Sequence, residues 1–374
     1  MKFLHLADLH LGKRLNEFSL LEDQDYILRQ ILSIIEKRQP DAVVIAGDIY
    51  DRPIPMPEAV VLFDRFLKEV RARGPVVLYI AGNHDNAKRL AFGEGLMDLA
   101  GVYHEPVYDG TLKRVRLTDE YGPVCFYLLP YLRAVHVRAV FPEEPIEDYT
   151  DAIRTVLAHA EYTEGERKVL IAHQSVIPAE EEVGSLKEVD PALFEDFDYT
   201  ALGHIHKAGK IGRETIRYAG SPLKYAFKNL EQPCSVTEVT LGAPGSEPKI
   251  CVLPLTPLRK LREMRGSFEE LMDPLFCPEE SRDDFLRITL TDEEDVREGM
   301  RRLRTLYPNV MELDYDNTRT RAQKAPDAGP EAIEEKSKLD LFDELYEKQN
   351  GAPMTEEQRA FVLTMMEKIW GDVA

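Results

Sequence analysis

The first 260 residues alternate short apolar runs with longer amphipathic segments. Each run is apolar at consecutive positions, which is typical of strands buried on both faces of a sheet. The predicted strands are FLHLA (3–7), AVVIA (42–46), VVLYIA (76–81), CFYLLPYL (125–132), KVLIA (168–172) and YTALG (199–203). Apolar residues recur at helical spacing in 21–38 and 57–73, and an acidic helical pattern covers 146–161. This alternation predicts an α/β fold.

The pattern changes in the last third of the chain. Glycine and proline become frequent at 241–257, so we expect a large domain over 1–260 and a boundary after it. A small α/β domain over 265–320 follows, with a strand at 285–290, a helix at 293–307 and a strand at 309–315. The polar stretch 321–338 predicts a linker, and 339–374 predicts a tail of two amphipathic helices.

The charge is uneven along the chain. With 47 basic and 67 acidic residues in 374, the net charge of −20 excludes a stand-alone basic protein that coats DNA. Residues 141–200 hold 16 acids and 4 bases, whereas residues 201–260 hold 4 acids and 9 bases. The block 201–260 therefore suits a polyanionic partner better than the net charge of the whole chain suggests.

Cysteine usage and hydropathy narrow the class further. The four cysteines form no CxxC pair, so neither a zinc ribbon nor a disulfide framework is indicated. No run approaches the ~18–20 apolar residues of a membrane span, and the start MKFLHLADLH lacks the layout of a signal peptide. We expect a cytoplasmic protein with no membrane association.

Five short polar segments directly follow predicted strands. They are Asp8-Leu9-His10, Gly47-Asp48-Ile49-Tyr50-Asp51, Gly82-Asn83-His84-Asp85, Ala172-His173-Gln174 and Gly203-His204-Ile205-His206. Loops at the carboxyl edge of an α/β sheet commonly build a functional site, so we expect these segments to converge. Taken singly, Asp48 has the alternative role of capping a turn, and His173 that of a core histidine. Five such segments together favour a metal site.

The ligand types indicate which metal and which chemistry. Imidazole, carboxylate and amide groups without thiolate suit Mn²⁺, Fe²⁺ or Zn²⁺ better than Ca²⁺ or copper. Seven candidate ligands crowd a single centre, so we expect two divalent ions, with Asp48 bridging them. Two ions about 3.5–4 Å apart activate water and clamp a phosphoryl oxygen. The prediction is metal-assisted phosphoester hydrolysis. His5, His104, His136 and His159 lack a motif and are interpreted as structural.

The set D-x-H, GD-x-x-D, GNHD, a lone histidine and GH-x-H resembles the calcineurin-like metallophosphoesterase superfamily. The resemblance implies a two-sheet α/β sandwich with a dimetal centre. Within it, KFLHLADLHLGKRL (2–15), VVIAGDIYDRPIP (43–55) and LFDELYEKQNGAPMTEEQ (341–358) are most similar to the bacterial SbcD family of nuclease subunits. The similarity is weakest around 235–330.

The resemblance also implies roles for single residues. One ion is expected on Asp8, His10, Asp48 and His206, and the other on Asp48, Asn83, His173 and His204. His84 is expected beside the scissile phosphate as a non-ligand that protonates the leaving 3′ oxygen, with Asp85 a candidate for orienting it. Asp51 falls where some members carry a second histidine, and its role stays open. The preference for Mn²⁺ is the family's.

Basic residues near these segments are candidates for DNA-backbone contacts. The first set flanks the metal segments and comprises Lys13, Arg14, Arg52, Lys88 and Arg89; the second set is Lys207, Lys210, Arg213, Lys224 and Lys228. A solvated surface is the alternative for both sets. Tyr225 and Phe227 are interpreted as packing residues rather than base-stacking ones.

The resemblance implies partners as well. The helical segment 339–374 is expected to bind an SbcC-type coiled-coil ATPase subunit, the alternative being that it folds back on the small domain. A homodimer is expected, with Leu15, Phe18 and Leu20 as candidate contacts. No GxxxxGK[ST] loop is present, so ATP dependence comes from the partner.

The implied function is that of a Mn²⁺-dependent nuclease subunit in DNA repair, recombination and replication. It combines 3′–5′ exonuclease activity on double-stranded ends with endonuclease activity on single strands and hairpins. Residues 1–260 form the nuclease domain and 265–320 a DNA-capping domain. Two alternatives stay open: another dimetal phosphoesterase acting on small phosphoesters, and a non-catalytic scaffold with the same fold. The appended region 265–374 argues against the first and the intact ligand set against the second.

Overall fold

The fold is known from a computed structural model. It describes residues 1–177, 188–228, 230–318, 320–321, 339, 342–343, 345–347 and 353–370, with side chains as far as 366. The predicted linker 321–338 therefore lies outside the described residues, except for Arg321. The chain divides into two compact units, one of Met1–Thr289 with Arg297–Asp314 and the other of Leu290–Val296 with Tyr315–Ala374.

The first unit contains two six-stranded sheets. In spatial order, the first sheet consists of β14 (Lys249–Pro254), β13 (Ser235–Thr240), β1 (Lys2–Leu6), β4 (Ala42–Ile45), β5 (Val76–Ile80) and β6 (Val102–Glu105). The second consists of β11 (Gly209–Ile211), β12 (Arg213–Tyr218), β10 (Tyr199–Gly203), β9 (Arg167–His173), β8 (Gly122–Leu129) and β7 (Lys113–Asp119). A short hairpin of β2 (Arg14–Leu15) and β3 (Phe18–Ser19) lies apart from both.

Parallel pairing brings together the carboxyl ends of the strands that precede the five polar segments. Strands β1, β4 and β5 are parallel neighbours, so their carboxyl ends lie at one edge of the first sheet. Strands β9 and β10 are also parallel, with Gly203 opposite His173 at their ends. Each of the five polar segments therefore leaves a sheet at the carboxyl end of a strand.

The two sheets pack face to face between layers of helices. Phe3 of the first sheet contacts the rings of Phe126 and Tyr199 of the second, each at 5.6 Å between ring centroids. The opposite face of the first sheet packs on α1 (Leu21–Arg38) and α2 (Pro57–Ala72). The opposite face of the second packs on α5 (Ala134–Val140) and α6 (Tyr149–Ala158). The short helices α3 (Ala87–Leu90) and α4 (Glu94–Leu99) follow β5. The predicted two-sheet α/β sandwich is confirmed.

A third sheet follows in the order β15 (Leu261–Gly266), β16 (Phe285–Leu290) and β17 (Val310–Tyr315). It is accompanied by α7 (Phe268–Met272) and α8 (Gly299–Leu303). The helix predicted over 293–307 is wrong in extent, because only 299–303 is helical. The backbone before it makes hydrogen bonds outside a helix: the Asn317 side-chain amide donates to the carbonyls of Asp292 and Glu293.

The last described helix is α9 (Glu356–Trp370). Within the second unit, Met366 of this helix packs on Leu339, and both are buried. Among the helices of the described residues, none combines the length and apolarity that a membrane crossing requires.

Candidate metal centre

The seven candidate ligands converge on one edge of the sandwich. Four of them have a positive φ, namely Asp8 (53°), His10 (43°), Asp48 (51°) and His204 (99°). This conformation is uncommon for residues other than glycine. It is held by hydrogen bonds between loops: the Asp8 amide donates to Gly47 O at 3.1 Å and the His10 amide to Asp48 O at 3.0 Å. The loops after β1 and β4 thus fix each other.

Asp48 lies at the centre of the cluster. Its Oδ2 is 3.4 Å from His10 Nε2 and 3.5 Å from His173 Nε2. Its Oδ1 accepts the backbone N–H of His84 at 2.9 Å. The residue is 2% exposed. One buried carboxylate therefore faces histidines from both halves of the site.

The first half of the cluster contains Asp8, His10 and His206, whose ligand atoms lie within 4.8 Å of one another. The Nε2 atoms of His10 and His206 are 3.0 Å apart. Two imidazole nitrogens at this distance can share one proton. When neither nitrogen is protonated, the two lone pairs can bind the same cation. Asp8 accepts the His204 amide at 3.0 Å. This donor set fits a divalent metal ion.

The second half contains Asn83, His173 and His204. Asn83 Oδ1 is 3.1 Å from His173 Nε2 and 2.9 Å from His204 Nδ1. The other ring nitrogen of His173, Nδ1, donates to the Ala46 carbonyl at 2.7 Å. That hydrogen bond leaves the Nε2 lone pair available when the ring is neutral, which is the arrangement that metal-bound histidines adopt.

Burial sets the charge states of the cluster. Loss of solvent lowers the pKa of His10 to about 3 and that of His204 to about 4, so both rings are neutral at pH 7. Burial raises the pKa of Asp8 to about 7. Burial also opposes ionisation of Asp48, but the hydrogen bond and positive charge of His173 outweigh it and lower its pKa. In contrast, the hydrogen bond and negative charge of Asp48 outweigh burial and raise the pKa of His173 to about 9, so this ring carries a proton that a bound cation would replace at Nε2. His10 and His204 are already neutral and suited to a cation.

Glycines give the loops room to approach. A Cβ on Gly82 would overlap Asp48 Oδ1 and its backbone nitrogen. A Cβ on Gly203 would overlap the Ala46 carbonyl oxygen and lie 2.8 Å from His173 Nδ1. The glycine that precedes the ligand in each of these two segments therefore makes close contact with the neighbouring strand end possible.

His84 is held by the backbone of a neighbouring loop. Its Nδ1 donates to the Asp51 carbonyl at 3.0 Å, so Nε2 is the nitrogen free to act on a substrate. A ligand atom of His84 also lies within 4.8 Å of those of His10 and Asp48. The expected orienting residue, Asp85, has a different role: its carboxylate accepts the amides of Ile49, Tyr50 and Gly82 at 2.9–3.0 Å. Asp85 thus ties two loops together, whereas Asp51 orients the His84 ring.

Some residues around the cluster carried little signal in the sequence. Tyr225 is buried, donates to Leu9 O at 2.5 Å, and meets the His10 ring edge-on at 5.4 Å between centroids. It supports the ligand loop from behind and is not available for base stacking. Tyr131, just after β8, lies nearly parallel to the His204 ring at 6.4 Å. Its place after a buried strand is the signal that could have identified it.

The basic candidates differ in their contacts. Lys13 is largely buried and pairs with Asp51 Oδ1 at 2.6 Å, so it belongs to the wall of the site. Arg14 donates to Glu17 O, Arg52 lies 3.8 Å from Asp51 Oδ2, and Lys88 and Arg89 are exposed on α3. In the second set, Lys210 pairs with Glu214, Arg213 donates to Glu195 O, Lys224 donates to Leu230 O, and Lys207 and Lys228 are exposed.

The suggested dimer contacts are wrong for Leu20, which is 2% exposed and part of the core. Leu15 and Phe18 also pack against that core, and the Arg304 guanidinium lies over the Phe18 ring at 5.3 Å. These apolar side chains stabilise the fold and leave little surface for a second copy.

Comparison with known proteins identifies the family. Residues 1–208 match the model of the calcineurin-like phosphoesterases, and residues 257–350 match a model described as the Type 5 capsule protein repressor C-terminal domain, SbcD_C. The chain is 32% identical over 323 residues to the SbcD subunit of the nuclease SbcCD from Staphylococcus saprophyticus and 31% identical over 326 residues to that from Staphylococcus epidermidis. These alignments cover 84% of this chain and 84% and 85% of the relatives.

Among solved structures, a dimetal phosphatase from Danio rerio aligns with a TM-score of 0.37 and 11% identity, covering 69% of this chain and 98% of that one. The assignment depends on the sequence matches, which span both the metal segments and the C-terminal region. The chain belongs to the calcineurin-like phosphoesterase family of metal-dependent hydrolases and, within it, to the SbcD group.

Proposed function

We propose that this chain is the Mn²⁺-dependent DNA nuclease subunit of an SbcCD-type complex. The observation that carries the proposal is the buried carboxylate of Asp48, which faces histidines from both halves of a seven-residue donor set. Relatives named as nuclease subunits, aligned over 84% of the chain, support DNA as the substrate. The first alternative, a small-molecule phosphoesterase, has no comparable support.

The donor set accounts for two divalent ions. Asp8, His10, Asp48 and His206 would hold one, and Asp48, Asn83, His173 and His204 the other. Bound ions of this kind activate water and neutralise the charge that develops on a phosphoryl group. Nitrogen and oxygen donors without sulfur suit Mn²⁺, Fe²⁺ or Zn²⁺, and the choice of Mn²⁺ among them rests on the family resemblance.

The protein's own groups position the substrate and move the proton. The hydrogen bond from His84 Nδ1 to the Asp51 carbonyl fixes the ring and leaves Nε2 to face the substrate. When both ring nitrogens carry a proton, the one on Nε2 can pass to the leaving 3′ oxygen as the phosphodiester bond breaks. His84 is half-buried, so its ring can regain a proton from solvent.

The polarity of cleavage and the assembly belong to the same proposal. The chain cuts double-stranded ends from 3′ to 5′ and single strands and hairpins internally, in DNA repair and recombination. An SbcC-type ATPase binds the helical segment 339–374, in which Phe361 and Met365 are exposed. A homodimer forms through apolar surface; the proposal that Phe92, Leu96 and Leu99 contribute to it is supported by their exposure of 88%, 76% and 86%. The nuclease domain covers 1–260 and the capping domain 265–320.

One assay separates this proposal from its alternatives. The purified chain is incubated with Mn²⁺ and either a labelled DNA hairpin, a 3′-labelled duplex or p-nitrophenyl phosphate, with and without the ATPase subunit. We expect cleavage of both DNA substrates and little phosphomonoester hydrolysis, all lost in Asp48→Asn. Preference for the phosphomonoester would point to a phosphatase, and inactivity on every substrate with metal bound would point to a scaffold.

A further inference from the structure

Two adjoining depressions, together called the groove, lie on the surface of the first unit beside His206. Its near part borders His206 and shares Lys224, Gln232, Pro233 and Cys234 with a wider part. The wider part has a volume of about 730 Å³ and extends to Lys260 and beyond, along the segment that enters β15. The two parts therefore adjoin each other along four shared residues, and the near part is bordered by the candidate metal ligand His206.

The groove is basic although the chain is acidic. Five basic residues and two acidic ones line it: Lys207, Lys224, Lys228, Lys260 and Arg262, against Glu231 and Glu263. The whole chain, in contrast, has a net charge of −20. Within the described part of the chain, the ammonium groups of Lys207, Lys228 and Lys260 have no carboxylate within ion-pair distance, whereas Arg262 pairs with Asp284 at 3.1 Å. These three ammonium groups are therefore available for phosphates.

The shape favours a single strand. A volume of about 730 Å³ is of the size that holds a drug-sized ligand, which suits a few nucleotides and not a duplex. Phe227 and Leu230 pack against the core, as expected for packing residues, and line the wider part with the apolar surface that this packing leaves half-buried. Proteins that bind single strands combine such a cationic track with an aromatic or apolar wall against which bases pack.

We propose that this groove binds one single DNA strand and guides it to or from the metal centre beside His206. The inference rests on the proposed nuclease function and adds a path for the substrate. Lys207 and Lys228 contact the phosphates nearest the centre, and Lys260 contacts those farther along. The duplex part of a substrate stays outside the groove.

The test uses the full chain with Mn²⁺, in a His84→Gln background so that the oligonucleotide is not cut. Anisotropy of a labelled 20-nucleotide oligothymidylate measures binding as salt is raised. We expect Lys228→Glu with Lys260→Glu to weaken binding about tenfold and to reduce the slope of log K against log salt by about 1.4, since each phosphate contact to a single strand contributes about 0.7. Lys37→Glu with Lys249→Glu, both exposed and outside the groove, makes the same change in net charge and should leave the slope unchanged.

The outcomes separate the groove from the nuclease itself. Equal binding by groove and control variants, while the chain with His84 intact cuts the hairpin, would overturn the groove and leave the nuclease proposal standing. An equal loss of affinity for a blunt duplex would overturn the assignment to a single strand. Failure of the His84-containing chain to cut DNA, together with failure of the His84→Gln chain to bind the oligonucleotide, would overturn both proposals. Circular dichroism and thermal unfolding check that each variant is folded.

Discussion

The backbone around the candidate metal centre departs from the ordinary conformation at four of the candidate ligands. Asp8, His10, Asp48 and His204 all have positive φ, which costs of order 1–3 kcal/mol at each such residue. At these residues the chain turns sharply after the extended strand, so that each side chain points toward a shared centre. The hydrogen bonds between the loops after β1 and β4 hold these conformations in place. Strain is concentrated where the ligand atoms must meet.

His84 should be needed for cleavage but not for metal binding. In His84→Gln the amide can still reach the Asp51 carbonyl, but it cannot transfer a proton to the leaving oxygen. We expect DNA cleavage to fall by ~10²–10⁴, the usual contribution of a general acid, with two ions still bound. Nuclease assays paired with elemental analysis measure this. Full activity, or loss of an ion, would contradict the assigned role; Asp48→Asn, which should lose metal and activity together, serves as the comparison.

The sequence predicted which candidate ligands lie close together better than it predicted the contacts that support them. Each candidate ligand follows a buried apolar run, and parallel strands bring such positions to one edge whatever the details of the loops. Tyr225 and Asp51 could not be assigned in this way. Their roles depend on contacts between distant parts of the chain, such as Tyr225 with Leu9 O and Lys13 with Asp51. Periodicity along the sequence carries no information on those distances.

At the level of elements, buried runs were predicted with more success than polar helices. The observed strand Tyr199–Gly203 and the helix Leu21–Arg38 have the predicted bounds, because their apolar pattern matches the surface that they bury. The acidic helix predicted over 146–161 is shorter, Tyr149–Ala158, since the Asp148 side chain accepts the Asp151 amide and begins the helix there. The helix predicted over 293–307 begins later, at 299, because hydrogen bonds with residues 315–318 hold the backbone and side chains at 292–296.

One arginine should stabilise the packing of the two sheets far from the metal centre. Arg167, the first residue of β9, is 2% exposed and donates to the Asp119 carboxylate, to Gly122 O at 2.8 Å and to Gly242 O, after β13, at 2.7 Å. Removing it takes charge-assisted hydrogen bonds from the Asp119 carboxylate, which keeps only the Met1 ammonium group and the Tyr121 amide as partners. We expect Arg167→Met to lower the free energy of unfolding at pH 7 by about 1.5–3 kcal/mol, measured by urea denaturation.

The stabilisation by Arg167 should depend on pH. The hydrogen bond from Arg167 lowers the pKa of Asp119, so the stabilisation is present above the pKa of a free aspartate, about 3.9, and is lost as the pH falls below it. The difference between wild type and Arg167→Met should therefore narrow below about pH 4. Arg154→Met, which removes an exposed pair with Asp151, should change stability by less than about 1 kcal/mol. A similar loss in both variants would refute the special role of Arg167.

The C-terminal helix α9 presents two different faces. Met366 packs on Leu339, whereas Phe361 and Met365, one turn apart, are 68% and 41% exposed. A helix-in-groove contact uses such an apolar pair. We expect Phe361→Asp with Met365→Asp to weaken binding of the SbcC-type ATPase at least ~100-fold by calorimetry, because each buried apolar side chain contributes about 1.5–3 kcal/mol. The matched control is Ala360→Asp with Thr364→Asp, two exposed positions one turn apart on the same helix, which adds the same charge. Loss of hairpin cleavage by the double variant without the ATPase would show that the helix serves the catalytic unit instead.

At the scale of the whole molecule, the net charge of −20 and DNA as a substrate are compatible because the charge is unevenly distributed. Acids are concentrated in 141–200, and part of the remaining acidity lies at the candidate metal centre, where bound cations would offset it. The basic residues of 201–260 include those nearest His206 in the groove. Attraction to DNA is therefore local, and long-range electrostatics oppose the approach of a duplex.

This distribution predicts a specific response to salt. A protein that makes six to ten phosphate contacts loses ~10³–10⁵ in affinity between 50 and 200 mM salt. With few contacts of its own, the isolated chain should bind a duplex end weakly and lose less than about 10³ over that range, whereas the complex with the ATPase subunit should bind more tightly and lose more. Anisotropy titrations of both species against one labelled duplex measure this. A steep salt dependence for the chain alone would mean that it supplies the duplex contacts itself, and the ATPase would then be needed for a step other than DNA affinity.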